Sequence, residues 1–82
     1  MFRRYQMRFI TRGGRVLRGP VFKFDQYAKF QGLIDRLDEM SVLRMKNGNH
    51  RIVIPEYTLK HGYAEIVGIG PCRRLIQWLR SR

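Results

Sequence analysis

With 82 residues, a net charge of +11 and 44% hydrophobic residues, the chain has room for one domain (1–82) with a modest core. Its one Trp, four Tyr and five Phe, together with that hydrophobic fraction, exclude a disordered polyelectrolyte. The longest aliphatic run, Ile52-Val53-Ile54, falls far short of a membrane-spanning helix. A lone cysteine, Cys72, excludes an internal disulfide and points to a reducing, cytoplasmic compartment.

The first 23 residues hold Arg3, Arg4, Arg8, Arg12, Arg15, Arg18 and Lys23 and no acid. Tyr5, Met7, Phe9 and Thr11 alternate with Arg4, Gln6, Arg8 and Arg12, so a strand here puts the cations on one face. Gly13-Gly14 reads as a two-residue turn with positive φ at both positions, pairing Arg12 with Arg15, Thr11 with Val16 and Ile10 with Leu17. Gly19-Pro20 then interrupts the strand, which resumes after a bulge at Val21.

Asp25 is a natural N-cap for a helix over residues 26–40, with Tyr27, Phe30, Ile34 and Leu37 as its apolar stripe. Gly32 inside that stripe marks a close crossing over a strand. The same helix gathers Asp25, Asp35, Asp38 and Glu39, which polarises the molecule away from the basic hairpin.

Asn47-Gly48 between β-rich runs signals a second hairpin, with Arg44, Lys46 and Arg51 on one face and His50 opposite Met45 on the other. Residues 56–69 read either as a short helix over 56–66 or as a last strand from Tyr63 to Ile69, with the strand preferred. Pro71 opens a closing helix to about Arg80, with Leu75, Ile76, Trp78 and Leu79 on its apolar side. The expected fold is α+β, in the approximate order ββαββ(β)α, with an antiparallel sheet of two hairpins and two helices on one face.

The segment Ile66-Val67-Gly68-Ile69-Gly70-Pro71 resembles the hairpin of helix-hairpin-helix DNA-binding motifs. The resemblance covers about a dozen residues and implies that backbone N–H groups near Gly68 and Gly70 hold a phosphate, aided by Arg73 and Arg74. Arg74 stands where that family usually has a small residue. The residues alone read as a strand-turn-helix junction, which also suits a phosphate.

No P-loop or nucleophile elbow is present, and Cys72, His50 and His61 lack zinc spacing. The expectation is a protein that is not an enzyme and uses no cofactor and no metal. Thirteen of the seventeen cations are arginine, whose planar fork suits phosphate oxygens. Nucleic acid, DNA or RNA, is therefore the expected partner, gripped with weak sequence specificity by Arg4, Arg8, Arg12, Arg15, Arg18, Arg44, Lys46, Arg51, Arg73 and Arg74. Phe2 and Tyr57 are the stacking candidates, while Tyr5, Phe9 and Phe24 are expected inside. The alternative is a small inhibitor or adaptor of the kind phages and mobile elements encode, docking its basic face on an acidic surface of a host protein such as a nuclease complex. That partner would call for an exposed apolar anchor ringed by arginines.

Overall fold

A computed structural model describes residues 4–69 as five strands and two helices: β1 (Arg4–Ile10), β2 (Val16–Phe22), α1 (Tyr27–Asp35), β3 (Val42–Asn47), β4 (His50–Pro55), α2 (Glu56–Lys60) and β5 (Tyr63–Ile69). The α+β class and the two antiparallel hairpins agree with the sequence. The hairpins do not fuse into one sheet: β2, β1 and β5 form a three-stranded sheet in that order, and β3 pairs with β4 alone. Met7, Phe9 and Phe22 of the first sheet and Leu43, Met45 and Ile54 of the second share one core with Leu59 of α2.

The first turn differs from the two-residue loop expected. Ile10 pairs with Val16, Phe9 with Leu17 and Arg8 with Arg18, leaving residues 12–14 as the loop between Thr11 and Arg15. The Gly14 N–H donates to the Thr11 carbonyl at 2.9 Å, and the Thr11 N–H donates to the Arg15 carbonyl at 2.9 Å. Gly14 has φ +88° and Gly13 has no positive φ, as in a type I turn closed by a glycine bulge. The register therefore slips by one, and the opposed like charges are Arg8 and Arg18 rather than Arg12 and Arg15.

Gly19-Pro20 bulges without ending β2, since two residues there oppose Met7 alone. Pro20 sits on an edge strand, where a missing N–H is tolerated, and Gln6 Nε2 donates to the Gly19 carbonyl at 3.1 Å. A Cβ on Gly19 would meet Met45 Sδ at 2.6 Å, so this glycine is where the second hairpin packs on the first.

The expected helix over residues 26–40 is shorter. α1 stops at Asp35 and a 3-10 turn, Leu37–Glu39, follows. Ile34, Leu37 and Met40 recur every third residue, the spacing that keeps one side of a 3-10 turn on the core. Asp25 does not cap α1: it lies in a preceding 3-10 turn, Phe24–Gln26, and the capping position is Gln26 with no side-chain bond. Gly32 marks no close crossing, because a Cβ there meets nothing within 4 Å.

Residues 56–69 combine both expectations, a short helix and then the preferred strand. β5 pairs antiparallel with β1 along its whole length, from Arg4 opposite Ile69 to Ile10 opposite Tyr63. The join needs Gly62, where a Cβ would press on the Phe9 ring at 2.7 Å and on the Ile10 carbonyl. An aromatic cluster of Tyr5, Phe22, Tyr27 and Phe30 ties the sheet to α1, with Phe22 and Phe30 stacked at 4.3 Å. Phe24 is not inside: it is 70% exposed at the rim of this cluster. No helix among the described residues is long and apolar enough to cross a membrane.

Candidate functional site

Because both sheets bury one face in the same core, each turns its other face away from it. The polar face of the three-stranded sheet carries a row Arg18–Arg8–Glu65 across its strands. Arg8 Nη2 donates to Glu65 Oε1, so Arg8 is already engaged within the fold. Its Nε is buried with no acceptor among the described residues. On either side of this row lie Val21, Gln6 and Val67, and Val16, Ile10 and Tyr63. This face is therefore a mixed surface, with Arg4 and Arg18 exposed beside valines. Arg12 and Arg15 are exposed in the turn that closes its hairpin.

The second hairpin concentrates charge more simply. Leu43, Met45 and Ile54 point into the core, and alternation puts Val42, Arg44 and Lys46 of β3 with Arg51, Val53 and Pro55 of β4 on the outer face. That face contains no acid. Lys46 lies directly opposite Arg51, and Arg44 opposite Val53, with Arg51 on its diagonal. All three cations are exposed, and none has a carboxylate partner among the described residues. Facing like charges on adjacent strands cost a few tenths of a kcal/mol, up to ~1, relative to neutral pairs. An anion lying across them removes that repulsion and gains charge-assisted hydrogen bonds.

The turn positioning this pair is Gly48-Asn49, one residue later than Asn47-Gly48. Asn47 pairs with His50, and only Gly48 has positive φ, at +61°, the requirement of a II′ turn. His50 accordingly faces Asn47 in the exposed end of the hairpin and not Met45, whose partner is Ile52.

Two depressions adjoin β4 and share Ile52 and Val53. One is lined by Arg44, Lys46, Arg51 and Val53. The other runs between the hairpins, where Thr11, Arg15 and Leu17 face Val53, Pro55 and Thr58. Val53 belongs to both and is 60% exposed. Arg15 of the first hairpin shares the second depression with Val53; Arg44, Lys46 and Arg51 line the first, and Arg4 and Arg18 belong to the other sheet's face. Val53, Pro55 and Thr58 were not among the site residues expected. Their signal was the alternation Arg51, Val53, Pro55 continuing the basic face, whereas Thr58 meets Arg15 only through tertiary packing.

The described part of the segment that resembles a helix-hairpin-helix turn, from Ile66 to Ile69, is strand and not turn. Residues 66–69 lie within β5, and Gly68 sits opposite Tyr5 in the ladder. The helix before it spans only Glu56–Lys60 and ends well short of the glycines. Gly68 therefore belongs to an edge strand paired to β1 on one side, not to the tight turn that the resemblance implies. Gly70, Arg73, Arg74 and the closing helix lie outside the described residues, as do Phe2 and Trp78.

No family model, curated protein or solved structure matches the chain. The site rests on its own geometry.

Proposed function

We propose that this protein binds nucleic acid by its phosphate backbone, without catalysis and with little sequence preference. The observation that carries the reading is the outer face of β3 and β4, where Lys46 opposes Arg51 beside Arg44 and no acid offsets them. A polyanion supplies the missing countercharge, and release of its condensed counterions drives affinity. Arg15 extends the surface across the groove, and Arg12 adds charge at the hairpin tip. Arg4 and Arg18 form a secondary contact on the other sheet. Arg8 drops out of the grip because Glu65 holds it.

The test compares two changes by fluorescence anisotropy at fixed low salt. Replacing Lys46→Ala together with Arg51→Ala weakens every oligonucleotide by a similar factor, since phosphate contacts carry no sequence. Arg8→Ala leaves affinity within about twofold, because that guanidinium is spent on an internal pair. Equal losses from both changes would place the grip elsewhere.

One observation favours a second reading, docking on an acidic protein surface. Val53 stands 60% exposed amid Arg44, Lys46 and Arg51, an apolar anchor ringed by cations. Binding to an acidic protein with no detectable binding to DNA or RNA would select it.

A further inference from the structure

We infer that the corner where β4 runs into α2 is a subsite for single-stranded nucleic acid, with an unpaired base stacked on Tyr57. The inference rests on the backbone-binding reading and adds the form of nucleic acid bound.

Tyr57 is 71% exposed. It lies on α2 four residues before His61, and the two rings sit 4.5 Å apart with planes inclined at 52°. Phe24 is almost as exposed, yet its ring lies within 6.2 Å of Tyr5 and 5.9 Å of Tyr27, at the edge of the core. Tyr57 belongs to neither the core nor the side chains packed on it. Among the described residues its aromatic neighbour is His61, so Tyr57 presents a steadied ring face to water.

Its position relative to the charges is set by the chain itself. Arg51, Val53 and Pro55 follow one another along the exposed side of β4, about 13 Å from first to last at the rise of a strand. α2 begins at the next residue, which puts Tyr57 at the end of this basic and apolar row. Thr58, beside it, lines the groove that also holds Arg15. The one acid of α2, Glu56, is paired to Lys60 at 2.9 Å, so it repels a phosphate less than a free carboxylate would. A phosphate on Arg15 leaves a neighbouring base near Tyr57, while Arg51 holds the strand further along β4. Only an unpaired base offers a ring face there, because in a duplex both faces are covered by stacking.

The test uses the full chain, a labelled oligothymidylate and a labelled duplex, with anisotropy titrations of wild type, Tyr57→Phe and Tyr57→Ala. Wild type binds the single strand more tightly. Tyr57→Ala weakens the single strand by about 5-fold or more, the value of one stacked base. It leaves duplex affinity and the salt slope of single-strand binding unchanged, and Tyr57→Phe behaves as wild type. The exposed position makes misfolding unnecessary as an explanation, and a thermal melt of Tyr57→Ala matching wild type checks this. Equal effects on both probes, or none on either, overturn the inference while leaving phosphate binding standing. Wild type that binds neither probe overturns both readings together. A polyglutamate chain that displaces the oligonucleotide from wild type, with Tyr57→Ala reducing affinity for polyglutamate equally, would assign the corner to an acidic protein instead.

Discussion

Gly32 and Gly62 look alike in the sequence, each next to an apolar helical stripe, yet they have opposite consequences. A Cβ at Gly62 meets the Phe9 ring at 2.7 Å, and Phe9 is fully buried. Gly62→Ala is expected to cost on the order of 1–3 kcal/mol, because neither the ring nor the β1 backbone can retreat inside a packed core. Gly32 sits in α1 with nothing near its missing Cβ, and Gly32→Ala is expected to add up to about 1 kcal/mol by restoring helix propensity. Urea denaturation with unchanged m-values checks both signs. Nothing local in the sequence marks Gly62 as a packing site, because Phe9 comes 53 positions earlier in the chain. Phe24 was misplaced for a related reason: hydrophobicity argues for burial, but Tyr5, Tyr27 and Phe30 already pack around Phe22 and leave Phe24 at the rim.

Both hairpins were legible because their signals are local: alternation on each side of a glycine turn. Their turn geometry was off by one residue each time, since the sequence shows where glycines stand but not which one takes positive φ. The pairing of β5 with β1 was beyond reach, as it joins Arg8 to Glu65 across 57 residues. That pairing makes Glu65 the counterion of Arg8, which itself stands between Glu65 and Arg18 of β2. Glu65→Gln leaves two facing arginines without it. The expected loss is no more than ~1 kcal/mol, because both side chains of the pair are about one-third exposed to screening water. The loss should shrink as salt rises, and thermal melts at low and high ionic strength measure this. A loss that does not depend on salt would mean that packing, not charge, holds the row together.

At the scale of the whole molecule, a net charge of +11 on 82 residues strains the fold it decorates. The β3–β4 face is the plainest instance, with Lys46 against Arg51. Lys46→Gln is therefore expected to raise the stability of the free protein by a few tenths of a kcal/mol while lowering its affinity for nucleic acid. Parallel melts and titrations of that variant would show whether stability and binding move in opposite directions. The basic character of both hairpins was plain in the sequence. Its division was not: the expectation of one sheet implied one basic face, whereas two sheets around a shared core give two, unequal in kind. The face of β2, β1 and β5 carries an acid, Glu65, and an internal ion pair, and the outer face of β3 and β4 carries neither. The measurement that tests this division most directly is the slope of log K against log salt for single-stranded DNA. It is taken with wild type and with Arg44, Lys46 and Arg51 all changed to alanine. If the three cations each hold a phosphate, the slope becomes shallower by about 2, at roughly 0.7 for each phosphate no longer neutralised. A slope unchanged by the triple substitution, or no binding by wild type even at low salt, would contradict the account.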